Sequence, residues 1–119
     1  EQGLHFVKMK GNEVFKYVNK VIPPFVRDLC SQAGLDVREI DAWVFHQANH
    51  RIIEGVLRRL EIPLDKAVVN LQKYGNTSAA SVFLALHEGM AEGKISKGDK
   101  VMLVSFGAGM TYGAMIIRI

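Results

Sequence analysis

Two short stretches constrain the fold of this chain more than any others: Val44-Phe45-His46-Gln47-Ala48-Asn49 and Tyr74-Gly75-Asn76-Thr77-Ser78-Ala79-Ala80-Ser81. In each, an apolar, strand-like lead-in gives way to a polar group and then to a helical pattern. A strand that hands over directly to a helix is the building unit of an open α/β sheet. Such sheets put their ligand-contacting residues just beyond the carboxyl ends of the strands. His46 and Asn76 stand at those two handovers.

The remaining pattern supplies the scaffold. Residues 4–9 read as a short strand, and Asn12 is placed to cap the helix that follows. Val14, Phe15, Val18, Val21, Ile22, Phe25, Val26 and Leu29 recur at helical spacing. Pro23-Pro24 predicts a kink or a fresh start within that helix, and Ala33-Gly34 its end. A connection over 37–41, with Arg38, Glu39 and Asp41 in solvent, leads to a buried strand over 42–45. Asn49 caps a second helix with Ile52, Ile53, Val56, Leu57 and Leu60 on its inner face, and Pro63 stops it.

Residues 67–71 read as another strand, and a third helix starts near Thr77. Ala79, Ala80, Val82, Phe83, Leu84, Ala85 and Leu86 leave that helix almost no polar face, which predicts burial on all sides. Gly93 and Gly98 mark its exit loop, with Lys94 and Lys97 on it. Two strands, over 101–106 and 110–119, close the chain through Gly107-Ala108-Gly109. The order is βαβαβαββ. It describes one α/β domain over 1–119, with a mostly parallel mixed sheet and a terminal antiparallel hairpin.

Composition narrows the function classes. With 119 residues, 49% hydrophobic and 23% charged, the chain has the balance of a globular domain. The net charge is +3, but the basic residues are dispersed except for Arg58-Arg59, which argues against a nucleic-acid surface. No segment is long and apolar enough to span a bilayer, so no membrane is expected. The first residues show no signal-peptide pattern and no initiator methionine, which predicts a piece of a longer product. A single Cys cannot build a disulfide framework, and a reducing, cytoplasmic setting is expected.

Alone, His46 reads as a core histidine and Asn76 as a turn or cap residue. Together, at two strand ends, they suggest more. Both side chains can be uncharged donors at neutral pH. Two converging neutral donors suit a carbonyl oxygen that gains negative charge as it becomes an enolate.

His46-Gln47-Ala48-Asn49, the stretch from Tyr74 to Ser81, and Ser105-Phe106-Gly107-Ala108-Gly109-Met110-Thr111-Tyr112-Gly113 closely resemble the C-terminal half of β-ketoacyl-acyl carrier protein synthase III. That family belongs to the thiolase-like condensing superfamily. Met9-Lys10-Gly11-Asn12-Glu13-Val14-Phe15-Lys16 resembles it too, so the likeness covers nearly the whole chain.

The resemblance implies a Cys-His-Asn triad. The Cys takes an acyl group from acyl-coenzyme A, and the His and Asn stabilise the enolate formed when malonyl-acyl carrier protein loses CO2. His46 and Asn76 match the His and Asn, and Ala108 matches a backbone oxyanion contributor, although the family often has Gly there. Gly11, Asn12, Phe15 and Asn49 match positions that bind pantetheine. Lys16, Arg51, Arg58 and Arg59, with Lys20 nearby, match the basic dock for acyl carrier protein, with Arg51 the leading candidate. Thioesters of coenzyme A and acyl carrier protein are expected as substrates, with no cofactor. An N-terminal half and a homodimer of the full-length protein are the other expected partners.

Cys30 departs from the family pattern. It lies after Asp28-Leu29 on the first helix, outside any nucleophile elbow, and reads as a buried structural thiol. By resemblance the nucleophile belongs to the missing N-terminal half. His46-x-x-x-His50 has zinc-helix spacing, but Gln47 replaces the catalytic Glu and Asn49 caps the helix between them, so no metal is expected. His5 and His87 read as surface residues. Two alternatives stay open: a non-catalytic module that binds a carrier protein or partner, and a related condensing enzyme of quinolone or polyketide type.

Overall fold

The computed structural model of the chain describes residues 8–119. Helix α1 spans Gly11–Gln32, strand β1 Ala42–Phe45, helix α2 His50–Leu60 and strand β2 Ala67–Val68. A single turn, α3, covers Leu71–Tyr74, and helix α4 covers Ala80–Ala91. The hairpin of β3 (Lys100–Gly107) and β4 (Thr111–Arg118) ends the chain. The sheet order is β2-β1-β3-β4. β1 runs parallel to both β2 and β3, and β4 is antiparallel to β3. This is the expected α/β architecture with a mostly parallel sheet. The strand expected over 4–9 falls mainly outside the described residues, as does His5, and Lys8, Met9 and Lys10 are irregular.

Strand alternation sorts the core into two layers. Trp43, Phe45, Met102, Val104 and Phe106 face α1 and α2. Ala42, Val44 and Val101 face α4, against Val82, Ala85 and Ile95. The expected inner face of α2 is buried in full. α1 and α2 meet closely at Gly55, where an added Cβ would run into the Asn19 side chain. Arg59 Nη1 donates to Asn19 Oδ1 at 2.9 Å and to the Gly55 carbonyl at 3.2 Å, tying the two helices together.

Several local expectations are corrected. α1 continues through Pro23-Pro24 instead of restarting. Each interior proline costs roughly 3 kcal/mol. Val18, Ile22 and Val26 are buried around the pair, at about 1.5–3 kcal/mol each, and Pro23 is buried with them. Tertiary packing outweighs the local penalty. Asn12 does not cap α1: the cap is Lys10, without a side-chain bond, and Asn12 lies exposed in the first turn.

At the other end Gly34 takes φ +70°. Leu35 N–H donates to the Cys30 carbonyl and Gly34 N–H to that of Ser31, the paired bonds of a Schellman stop. α2 stops at Leu60, with Glu61 left-handed at φ 60°, two residues before Pro63.

β2 is far shorter than the run over 67–71. The Gln47 side chain explains this: Nε2 donates to the Val68 carbonyl at 3.2 Å and Oε1 accepts from Asn70 N–H at 3.1 Å. Those backbone groups bond to an amide rather than to a strand neighbour, and the chain turns into α3. α4 begins three residues later than expected because Asn76 Oδ1 takes Ser78 N–H at 2.9 Å. Ser78 itself is left-handed at φ 53°. Nor is α4 buried all round: Ser81, Val82, Ala85 and Gly89 are buried, while Phe83 is 69% exposed and Leu84 and Met90 are open.

Candidate active site

His46 follows β1 directly. Its backbone N–H still donates to the Val104 carbonyl of β3 at 2.8 Å, so the residue extends the sheet by one bond before Asn49 caps α2. The ring is half-buried and packs edge-on to Phe106, with centroids 5.2 Å apart. Its Nδ1 lies 2.6 Å from Ser81 Oγ, on the second residue of α4. Burial pushes the imidazole pKa below the ordinary 6.5, and a hydrogen bond with the Ser78 backbone offsets part of that. The group is therefore neutral at pH 7.

Asn76 reaches the same place without standing at a strand end, because α3 and Gly75 separate it from β2. Gly75, at φ 68° and ψ −161°, turns the chain there in a conformation open in practice only to glycine. Asn76 Oδ1 is engaged by Ser78 N–H, which leaves the Nδ2 amide as the donor available to a ligand. The side chain is exposed in this chain.

A cavity of about 450 Å³ collects these groups. His46, Asn76, Ser78 and Phe106 line it together with the β3–β4 turn, including Ala108 and Thr111. The left-handed position of that turn is Gly109, at φ +143°, whereas Ala108 keeps a negative φ that an L side chain adopts freely. Its carbonyl accepts from Thr111 Oγ1 at 3.2 Å. Residues 30 and more apart in sequence thus converge on one hollow holding two neutral donors.

A second cavity, of about 400 Å³, adjoins the first through Asn76. Gly11, Asn12, Phe15, Asn49 and Arg51 line it. Asn49 Oδ1 caps α2 by accepting Arg51 N–H at 2.8 Å, which again leaves a side-chain amide donor. The Arg51 guanidinium lies over the Phe15 ring, 5.9 Å from its centroid.

Lys16, Lys20 and Arg58 are exposed on α1 and α2, and none of them, nor Arg51, forms an ion pair among the described residues. Arg59 differs, since its guanidinium is committed to Asn19. Cys30 is 1% exposed, lines neither cavity, and has its thiol pKa raised by burial, with Asp36 and Glu39 adding to the effect. No group of three or more metal-ligating side chains occurs among the described residues.

The sequence did not single out Ser81 or the roles of Gln47 and Ser78 around His46. One signal was present: Ser81 is the lone hydroxyl of this helix and falls in its apolar first turns.

One donor just beyond β1 and one beyond α3, beside a hairpin turn that completes one hollow, fit a thiolase-like α/β unit. The profile described as 3-oxoacyl-[acyl-carrier-protein (ACP)] synthase III C terminal matches residues 30–119. The chain belongs to this family. It is 49% identical over 117 residues to the β-ketoacyl-[acyl-carrier-protein] synthase III of Symbiobacterium thermophilum, covering 98% of this chain and 36% of that protein. The corresponding protein of Syntrophomonas wolfei is 43% identical over 118 residues, covering 99% and 36%.

The crystal structure of 3-oxoacyl-[acyl-carrier-protein] synthase III from Aquifex aeolicus superposes with a TM-score of 0.93 at 41% identity. That match covers 99% of this chain and 38% of that one. The chain therefore spans little more than a third of the length of the relatives it matches.

Proposed function

We propose that this chain is the C-terminal catalytic half of a 3-oxoacyl-[acyl-carrier-protein] synthase III of fatty-acid biosynthesis, working in the cytoplasm. The convergence of His46, Asn76 and Ala108 on one cavity carries this reading. In it, His46 and Asn76 donate to the thioester carbonyl oxygen of malonyl-acyl carrier protein. The bond to the carboxylate breaks, CO2 leaves, and its electron pair enters the enolate whose oxygen the two donors hold. The enolate carbon then attacks an acyl thioester on a cysteine. The collapsing tetrahedral intermediate expels the thiolate and releases the 3-oxoacyl product. The backbone at Ala108 is assigned to the oxyanion of that second step.

The nucleophile belongs to an N-terminal half. Cys30 is buried away from both cavities, and its raised pKa keeps the thiol protonated, whereas a nucleophile needs the opposite. The exposed Phe83 of α4 and the apolar groove formed by Val82, Leu103, Ala114 and Met115 are assigned to the contact with that half. The second cavity is assigned to the pantetheine arm of the acyl-coenzyme A and carrier-protein thioesters. Lys16, Arg51 and Arg58 are assigned to an acidic carrier-protein surface, with Arg59 reaching it only if it releases Asn19. A homodimer of the assembled protein completes the proposal.

The test is decarboxylation by the intact protein, followed as CO2 release from malonyl-acyl carrier protein. His46→Ala or Asn76→Ala is expected to lower the rate by about 10²–10³-fold, the usual effect of removing one such donor. Unchanged decarboxylation in either variant refutes the assignment and favours a non-catalytic carrier-binding module.

A further inference from the structure

The buried hydroxyl against His46 has no part in the chemistry above. Ser81 is 1% exposed. Its Oγ accepts a hydrogen bond from Gln47 N–H at 3.1 Å. Gln47 is itself fixed, with Nε2 donating to the carbonyls of Phe45 at 2.9 Å and Val68 at 3.2 Å. A peptide N–H is a donor at every pH, so Ser81 Oγ is an acceptor in that contact, and its own proton must find another partner.

His46 Nδ1, at 2.6 Å, is the only other group bonded to this oxygen among the described residues. A buried hydroxyl without an acceptor is costly, so the proton goes to Nδ1. Nδ1 is then an acceptor, and a neutral imidazole that accepts at Nδ1 carries its hydrogen on Nε2. The edge-on contact with Phe106 fixes the plane of the ring, and the Ser78 carbonyl beside it is an acceptor for a ring N–H.

We propose that Ser81 is a positioning residue whose hydroxyl, oriented by Gln47 N–H, holds His46 in the tautomer with hydrogen on Nε2. In that state Nε2 donates to the substrate oxygen. This rests on the reading of His46 as an enolate-stabilising donor. It goes further by naming the group that makes the ring a donor on the required side.

The direct test is 15N NMR of the histidine side chains in the intact protein at neutral pH, with His46 assigned by its loss in His46→Ala. The expected result is an unprotonated Nδ1 and a protonated Nε2. Ser81→Ala should give a mixture of tautomers and a decarboxylation kcat lower by about 10- to 100-fold, with KM for malonyl-acyl carrier protein little changed. Ser81→Thr, which keeps the hydroxyl, should restore both readouts.

Hydrogen on Nδ1 in the unsubstituted protein overturns the proposal without any variant, and so does an unchanged tautomer in Ser81→Ala. Full decarboxylation by His46→Ala would instead remove the functional reading and leave the tautomer result standing, so the two failures are distinguishable.

Discussion

On one face of the sheet, Trp43, Phe45, Met102 and Val104 lie sealed under α1 and α2. On the other, α4 covers Ala42, Val44 and Val101, yet Phe83 of α4 is 69% and Met115 of β4 59% exposed. The first face is self-sufficient: its helices bury their apolar sides and are tied together through Asn19 and Arg59. The second presents apolar side chains that a lone domain gains nothing by exposing. Ser81 and Val82 anchor α4 to the sheet on its inner side, while Phe83 and Leu84 point away from it. His46 and Asn76 sit where the finished and unfinished layers meet, so the difference between the faces locates the site at a seam.

The strongest way to break this comparison is to damage each face and compare the costs. Trp43→Ala on the finished face should cost about 3–5 kcal/mol in denaturant unfolding, whether or not a partner half is present. Phe83→Ala should cost about 1.5–3 kcal/mol in the assembled protein and close to nothing in this chain alone. Equal losses in both settings would mean that α4 is not an interface helix. Gly55→Ala sharpens the finished side: its Cβ displaces Asn19 and with it the Arg59 bond, for roughly 1–3 kcal/mol by the same measurement.

Acid should bear on the seam itself. Burial lowers the His46 pKa below 6.5 in the folded state, so between that lowered value and 6.5 the unfolded chain binds more protons. Stability at this residue is therefore full above 6.5 and declines as pH falls below it. Urea midpoints compared at about pH 8 and about pH 5 should differ less in His46→Ala than in the unsubstituted protein.

The smallest effect expected is at the rim. Arg51→Ala should slow carrier-protein association and flatten its salt dependence, at a cost of about 1 kcal/mol or less, and leave single-turnover decarboxylation unchanged. Arg59→Ala should act differently, lowering stability through Asn19.

Much of the scaffold was legible because burial on one face leaves a periodic mark. The inner face of α2, strand β1 to the residue and the terminal hairpin all follow from spacing. The errors cluster where a distant group overrides a local preference. Pro23-Pro24 signals a kink or a fresh start, and the fresh start does not occur, because the partners that bury Ile22 and Val26 lie in other elements and leave no sign in the dipeptide. The length of β2 is set by Gln47, which lies more than 20 residues away in the chain.

The site divides in the same way. His46 could be picked out because its strand-to-helix handover is visible in sequence, whereas the strand expected to lead into Asn76 is replaced by α3 and Gly75. The hydroxyl that orients His46 comes from a helix 35 residues on, and only the folded arrangement brings it there.

The central claim is that the seam holds half of an active site, with the donors here and the nucleophile elsewhere. Mass spectrometry of the intact protein after exposure to acyl-coenzyme A tests this directly, with His46→Ala run in parallel. The expected result is one acyl group on a cysteine outside these 119 residues, in both proteins. An acyl group on Cys30 would contradict the claim.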